Sequence, residues 1–426
     1  MANTIKIGNT EVSAVMIGNS AVSAVYIGSS KIYPSGGTVD YSKQYLTFEV
    51  VDGGNVTITA SNADAAKTIQ YSTDNGSTWT SLTTSTTAQE LGGTLNVGDK
   101  VLVKGTNTVY GGTNYNSFGG TAKVNVYGNI MSLISGDSFA NNKTFIDAFT
   151  FIRLFNSYTN LLSAENLILP ATTLEVNCYS NMFDGCTGLT TAPELPATTL
   201  VKSCYDSMFK GCTNLKTAPV LHATTLADWC YQNMFYGCTS LVNAPVLPAT
   251  TLTQSCYQNM FEDCTSLETA PVLPATTLTQ NCYLAMFKGC TGLTTAPELP
   301  ATTLATNCYR EMFSGCKSLT TAPSVLPATK LANYCYQNMF SGCTGLTTAP
   351  ELPATKLAGS CYRQMFYGCT KLNYIKCLAT DISAPRCTSS WITNVASSGT
   401  FVKAASMTSW TTGSSGIPTG WTVVNE

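Results

Sequence analysis

The sequence predicts an α/β solenoid, preceded by a small all-β region and a short N-terminal segment of β-repeats. Three observations predict this fold. A 26-residue unit recurs from residue 169 to residue 377, short alternating apolar runs fill residues 39–127, and a ten-residue unit recurs over residues 6–34. A fixed period of about 20 to 50 residues is typical of solenoids, in which each unit buries its apolar face only against its neighbours.

The 26-residue unit is exemplified by LPATTLTQNCYLAMFKGCTGLTTAPE, which spans residues 273–298. Copies of it begin at Leu169, Leu195, Leu221, Leu247, Leu273, Leu299, Leu326 and Leu352. A decayed copy begins at Leu378, and one extra residue, Val325, precedes Leu326. Because the copies agree at their apolar positions and vary elsewhere, each is expected to add one coil to a common core.

Each unit is predicted to contain one amphipathic helix. In the copy that begins at Leu169, one half of a helical wheel drawn at about 100° per residue holds Leu174, Cys178, Tyr179, Met182, Phe183 and Cys186. The other half holds polar residues that change freely from copy to copy. Thr172 or Thr173 is a suitable N-cap, and Gly185 is suited to end the helix with a positive φ.

A short strand is predicted after each helix, at residues 189–193 in the same copy. Proline has no N–H to donate to a ladder, so Pro193 and Pro196 limit this strand to about four residues. One helix and one short strand per unit, with leucines at fixed offsets, is typical of leucine-rich repeats. Eight strands about 4.8 Å apart would form a curved slab roughly 40 Å long.

The repeated unit resembles the BspA-type leucine-rich repeats found in gut bacteria and in their phages. The resemblance lies in the CYxxMFxGCTxL core, as in Cys282–Leu293, and in the APxLPATTL segment that follows it. Eight copies agree, and they cover about half of the chain. The resemblance implies a leucine-rich-repeat fold and either a phage protein or a bacterial surface adhesin.

Composition argues against several classes of partner. The net charge is −2 and only 11% of the residues are charged, which leaves no electrostatic footprint for nucleic acid or an anionic membrane. The first twenty residues lack a basic segment followed by an apolar one, so no secretory signal is expected. No apolar run approaches the length of about 18 residues that a membrane-spanning helix needs.

The eighteen cysteines are predicted to be buried thiols. Sixteen of them form pairs eight residues apart at the same two offsets of every unit, as at Cys178 and Cys186. On a helix such positions lie about 12 Å apart, beyond the reach of a disulfide. Zinc sites need shorter spacings and usually histidine. Cys377 and Cys387 break the pattern, and a disulfide between them stays open, although two further buried thiols is the interpretation we favour.

The leading segment, residues 1–38, carries the repeats IGNTEVSAVM, IGNSAVSAVY and IGSSKIYP, each with a glycine turn and a short strand. Such a strip is too thin to bury its own core, and segments below about 40 residues usually need a partner. It resembles the short N-terminal segments that attach phage tail and head appendages to the virion. The candidate virion-anchoring residues are its apolar positions Ile7, Val15, Ile17, Val25, Ile27 and Ile32.

Residues 39–127 are predicted to form an all-β sandwich of the immunoglobulin-like kind, which acts as a spacer. Alternating strands are separated by turns such as Asp74-Asn75-Gly76. The framework Cys…Trp…Cys is missing, so the prediction is a sandwich rather than a true immunoglobulin domain. Residues 128–168 are expected to be the N-terminal cap of the solenoid, residues 169–377 the repeat array, and residues 378–426 the C-terminal cap.

No catalytic constellation is found, so enzyme activity, cofactors and metals are not expected. The single histidine, His222, replaces a proline of the repeat and is expected to be a loop residue. The variable helix face carries aromatic residues that could stack on sugars or anchor a protein partner. These candidate ligand-binding residues are Trp229, Tyr236, Tyr334 and Tyr367. The strand face is mostly threonine, with Lys216, Asn243 and Glu268 as exceptions.

The favoured hypothesis is a bacteriophage virion structural protein, a head or tail fibre or appendage that displays the array for attachment to the host surface or its glycans. It depends on the missing signal peptide, the anchor-like repeats and the modular order. The alternatives are a bacterial cell-surface adhesin of the BspA type and an intracellular protein-interaction scaffold.

The hypothesis also names partners and a location. The expected partners are other virion proteins through the leading segment, a host-surface glycan or protein, and further copies of the chain, since fibres are commonly trimers. Nucleic acid and membrane insertion are not expected. The expected location is the virion, assembled in the host cytoplasm.

Overall fold

A computed structural model describes residues 39–112, 114–145 and 147–426, together with the backbone of six short strands before them. Those strands are β1 (Lys6–Ile7), β2 (Thr10–Glu11), β3 (Met16–Ile17), β4 (Ser20–Ala21), β5 (Val25–Ile27) and β6 (Ser30–Tyr33). They pair as three antiparallel hairpins, each around the start of one ten-residue repeat: β1 with β2, β3 with β4, and β5 with β6. Of the candidate anchoring residues, Val15 lies outside the described residues, and the other five lie on these strands.

Among its described residues, the predicted all-β region contains eight strands. They are β7 (Leu46–Asp52), β8 (Thr57–Ala60), β9 (Thr68–Ser72), β10 (Thr80–Thr83), β11 (Gln89–Glu90), β12 (Lys100–Gly105), β13 (Asn116–Gly119) and β14 (Lys123–Asn129). One sheet has the order β10-β9-β12-β7-β14 and the other the order β11-β8-β13. Phe48 of the first sheet and Phe118 of the second are buried with their ring centroids 4.9 Å apart, so the sheets share one core. The β-rich region is therefore confirmed, whereas its immunoglobulin-like character stays a prediction.

Short helices and turns connect these strands. Two 3₁₀ helices lie at Tyr41–Lys43 and Ala63–Ala65, and after β14 come the single α-helical turn α1 (Ser132–Ser135) and a 3₁₀ helix at Gly136–Asn141. Asn75 and Gly76 both adopt a positive φ, as the Asp-Asn-Gly turn signal predicts. None of the helices in the described ranges has the length and apolarity of a membrane span.

The β-rich region passes into the array without a break in hydrogen bonding. β14 pairs in parallel with β15 (Leu161–Ser163) and β16 (Leu167–Ile168), which belong to the degenerate first coil. Within that coil, Phe155 stacks on Phe118 of the β-rich region at 5.8 Å and on Phe183 of the next coil at 5.2 Å. The core is thus continuous from the β-rich region into the repeats.

The predicted helix in each repeat is wrong. Residues 175–186, and their equivalents in the other coils, form a ribbon of consecutive turns. Within one coil, Cys178 N–H donates to the Glu175 carbonyl at 3.1 Å and Met182 N–H to the Tyr179 carbonyl at 3.2 Å, a spacing of three residues rather than four. The residues between them bond elsewhere: Tyr179 N–H donates to Cys204 and Phe183 N–H to Met208, both in the next coil.

Every fourth residue of this ribbon has a left-handed backbone, which rules out a helix. In the first full coil these residues are Asn177 (φ 55°), Asn181 (φ 55°) and Gly185 (φ 74°). Asparagine and glycine tolerate this conformation best. Gly185 therefore has the positive φ that was expected. It does not end a helix, however, but is the third left-handed residue of the ribbon, after Asn177 and Asn181.

The strand predicted in each repeat is reduced to isolated bridges. Equivalent residues pair in parallel one at a time, as in Thr191 with Thr217 and Asn243 with Thr269. A second line of bridges includes Thr199 with Thr225. Prolines on both sides of the segment remove the N–H groups that a longer ladder needs.

Ladders of identical side chains fill the interior. The tyrosines of successive coils, from Tyr179 to Tyr362, stack with centroid distances of 5.7–6.0 Å. A parallel ladder of phenylalanines runs from Phe183 to Phe366 at 5.4–5.7 Å. Methionines and cysteines at 0% exposure complete the core, so the sequence-based assignment of the buried positions is confirmed.

Parallel strands and tryptophans close the far end. β17 (Tyr374–Cys377), β18 (Thr400–Lys403) and β19 (Thr422–Asn425) form one parallel sheet. Trp391 is fully buried against Tyr362 and donates its indole N–H to the Gly416 carbonyl at 2.9 Å. Trp421 donates to the Ala396 carbonyl at 2.8 Å.

Candidate binding surfaces of the array

The four aromatic residues singled out from the sequence lie on the turn ribbon. Trp229 and Tyr334 occupy the first left-handed position of their coils, with φ of 57° and 60°. Tyr236 and Tyr367 occupy the position just before the third, at Gly237 and Gly368. Trp229 and Tyr236 share one coil, whereas Tyr334 and Tyr367 lie on two adjacent coils further along the array. The four rings therefore make two patches rather than one.

Lysines from the preceding coil cover the first patch. Lys202 Nζ lies 4.7 Å from the centroid of the Trp229 ring, and Lys210 Nζ lies 5.5 Å from that of Tyr236. Both rings are half-buried. In the second patch Tyr334 and Tyr367 are 41% and 39% exposed, which leaves more ring surface for a ligand.

Charges on the turn ribbon neutralise one another across coils. Lys288 Nζ lies 3.1 Å from a carboxylate oxygen of Glu262 and 3.3 Å from one of Glu311. Burial raises the pKa of Glu262, while Lys288 opposes that shift. Burial also raises the pKa of Tyr236, and the carboxylates of Glu262 and Asp263 add to the increase. This surface thus offers rings and amides with little net charge, which suits neutral sugars or a polar protein surface.

The left-handed backbone at Trp229 and Tyr334 is unfavourable for bulky side chains. A bulky residue at positive φ is a genuine outlier, and a residue in such a sparsely populated region costs about 1–3 kcal/mol. Other coils place Asn177, Asn281 or Asn307 at the equivalent position. Strained residues of this kind cluster at binding sites. The left-handed backbone at Trp229 and Tyr334 is therefore a second argument for a binding role, besides their aromatic side chains.

Replacing Tyr334 by asparagine is therefore expected to stabilise the protein by about 1 kcal/mol, because asparagine tolerates the left-handed region. Urea unfolding of the full chain measures the change. Tyr334→Phe is the matched control, since it keeps the ring and the strain and should leave stability unchanged. A loss of stability in Tyr334→Asn would show that the ring is needed for folding and would remove this argument for a binding role.

The cysteines are structural. In all eight coils the second cysteine donates its S–H to the phenylalanine carbonyl of an earlier coil at 3.0–3.1 Å, as Cys212 does to Phe183. Cys377 and Cys387 are also free and buried. Burial raises the pKa of Cys178, Cys282 and Cys308 to about 12, so these thiols stay protonated and inert near neutral pH.

Sequence reasoning missed a cavity where the β-rich region meets the first coils. It has a volume of about 610 Å³. Its floor includes Leu167 and Pro170, and its rim includes Lys143, Glu165 and Glu194. The lining also includes Ser42 and Asn129, so it combines separate segments of the β-rich region and of the first coils, and no local signal could have brought them together.

A smaller groove of about 270 Å³ lies beside this cavity, between Pro193 and Pro219, and His222 borders it as an exposed residue. The groove opens onto an edge of the array, where Val220, Val246 and Val272 are exposed. The sequence does carry a signal for these valines: an apolar residue stands at an offset that other copies fill with glutamate.

Comparison with known proteins identifies the repeats. Residues 154–294 and 283–382 match the family model described as BspA type leucine rich repeat region, in six copies. No curated protein matches the chain. The solved structure titled "Crystal structure of TLR13-ssRNA13 complex" is similar at 15% identity over 54% of this chain and 31% of that one, with a TM-score of 0.23, which is too low to support an argument. Because the matched residues, 154 to 382, make up more than half of the 426-residue sequence, the chain belongs to the BspA-type leucine-rich repeat family.

Proposed function

We propose that this chain is a non-enzymatic attachment protein of a bacteriophage particle. Its leading segment joins other virion proteins, and its array contacts a glycan or protein on the host surface. The observation that carries the proposal is the contrast between the two ends of the chain: three minimal hairpins at one end and a solenoid with an extensive buried core at the other.

The hairpins support an anchoring role. Their strands are two to four residues long, and in the described strands each hairpin is a separate two-stranded sheet. An isolated two-stranded hairpin is marginally stable at best in water, and three or more strands with an apolar face are needed for independent stability. Other virion proteins, or the same segment in further copies of this chain, would supply those strands.

The array supports a display role. Each coil buries an unchanging set of tyrosine, phenylalanine, methionine and cysteine, so its core is built without the outer residues. The turn ribbon is therefore free to vary, and it carries the strained aromatic residues Trp229 and Tyr334. Aromatic side chains with a polar tip are enriched where proteins bind partners.

Purified virions from the source culture test the proposal. The chain is expected in the particles by mass spectrometry, and deletion of residues 1–38 is expected to abolish its incorporation. The matched control, Trp229→Asn with Tyr334→Asn in the full chain, should be incorporated normally but bind host cells less. Finding the chain only on bacterial surfaces would favour the adhesin instead, and normal incorporation of the deletion variant would rule out the anchoring role.

A further inference from the structure

Three exposed valines form a row along one edge of the array. Val220, Val246 and Val272 are 64%, 76% and 79% exposed, and they occupy the same offset in three consecutive coils. We call them the valine row. Single exposed apolar residues are ordinary on protein surfaces, but a contiguous apolar patch marks an interaction site.

Register between coils keeps the row straight. Parallel bridges join Thr217 to Asn243 and Asn243 to Thr269, three residues before each valine. Neighbouring strands lie about 4.8 Å apart. The valines are therefore spaced by one coil each, with no polar coil between them.

A carboxylate stands at each end of the row. The equivalent residue is Glu194 in the coil before and Glu298 in the coil after, and both are exposed. The Glu298 carboxylate accepts hydrogen bonds from the backbone N–H and the hydroxyl of Ser324, at 3.2 Å each, so its position is fixed. Glu194 borders both the 610 Å³ cavity and the 270 Å³ groove.

We propose that the valine row binds a segment of another protein in which apolar side chains lie between two basic residues. The carboxylates at the two ends of the row favour a segment with a basic residue at each end. The two glutamates lie four coils apart, about 20 Å, which an extended segment covers in six residues. Lysine or arginine at its two ends would meet Glu194 and Glu298.

The same pattern argues against a second copy of the chain. The row reads Glu, Val, Val, Val, Glu and is the same in both directions. Two copies packed through it in a parallel or an antiparallel sense would place carboxylate against carboxylate. Like charges opposed in this way are unfavourable and suppress the wrong partner.

Methyl-labelled full-length protein and two synthetic peptides test the proposal by NMR. The basic probe is Lys-Thr-Val-Thr-Val-Thr-Lys, which places both lysines and both valines on one face of an extended chain. The acidic probe replaces the two lysines by glutamate. Only the basic probe is expected to shift the methyl signals of Val220, Val246 and Val272, while the buried Val103 stays unchanged.

Two variants separate the contribution of the valines to peptide binding from that of the glutamates. The first variant replaces all three valines by threonine: Val220→Thr, Val246→Thr and Val272→Thr. Each substitution exchanges a methyl group for a hydroxyl of similar size, so the variant should bind the basic probe at least tenfold more weakly. Glu194→Gln with Glu298→Gln should weaken it at least threefold and remove the preference for the basic probe. Equal response to both probes, no response at millimolar concentration, or self-association that the valine variant abolishes would each overturn the proposal.

Discussion

The repeat array is expected to unfold cooperatively in mild alkali, between about pH 9 and 11. Burial raises the pKa of the cysteine thiols from an ordinary value of 9.0, to about 12 in Cys178, Cys282 and Cys308. The folded state thus keeps protons that the unfolded state releases. Because the folded pKa lies above the unfolded one, this stabilisation is fully present below pH 9 and is lost as the pH rises towards 12.

The size of this effect comes from its repetition. Each buried thiol destabilises the folded state by about 1.4 kcal/mol per pH unit above its unfolded pKa. Sixteen such thiols at equivalent positions together outweigh the stability of about 5–15 kcal/mol that is typical of folded proteins. The stacked tyrosines act in the same direction, since burial raises the pKa of Tyr205 and Tyr231 well above the ordinary value.

Urea titrations followed by circular dichroism at pH 7, 8, 9 and 10 measure this dependence. The midpoint should be nearly constant from pH 7 to 8 and should fall steeply by pH 10. Repeating the series in 1 M salt is the control, because screening weakens surface charge effects and leaves buried groups largely unaffected. A midpoint at pH 10 equal to that at pH 8 would contradict the claim that the thiols titrate only on unfolding.

Replacing Phe235 by alanine is expected to cost about 3–5 kcal/mol. The ring is fully buried, and its centroid lies 5.7 Å from that of Phe209 and 5.6 Å from that of Phe261. In a solenoid each coil contacts only its neighbours, so the damage should stay local and split the array into two unfolding units. The expected result is a lower midpoint with a broadened or two-step transition.

Hydrogen exchange measured by mass spectrometry locates the damage. Backbone protection should be lost in the coil that contains Phe235 and in its two neighbours, while the β-rich region keeps its protection. Val246→Ala is the matched control from the same coil: the side chain is 76% exposed, so its loss should change stability by less than about 0.5 kcal/mol. A cost below 1 kcal/mol for Phe235→Ala would mean that the coils repack around the missing ring.

The buried set of each coil could be predicted from the sequence, but its backbone could not. Cys178, Met182 and Cys186 recur every four residues, a spacing that a helix and a ribbon of four-residue turns satisfy equally well. The distinguishing signal is polar: Asn177 and Asn181 stand at the same four-residue spacing before Gly185. All three have a positive φ in the structure.

The candidate binding residues, too, could be predicted only in part from the sequence. Aromatic residues at variable offsets, such as Trp229 and Tyr334, can be picked out by aligning the repeats. Their left-handed backbone depends on how the coils turn. The cavity beside Glu194 depends on contact between the β-rich region and the first coils, which no periodicity encodes.

The sequence by itself determined that this chain is a solenoid of 26-residue coils, and which side chains face its interior, because apolar residues at a fixed period can be buried only by stacking. Tertiary structure alone decided the path of the backbone between those side chains. An N–H group such as that of Tyr179 bonds to Cys204 in the next coil rather than within its own segment. That choice is favourable only when a neighbouring coil presents its carbonyl groups, so it belongs to the stack and not to any single repeat.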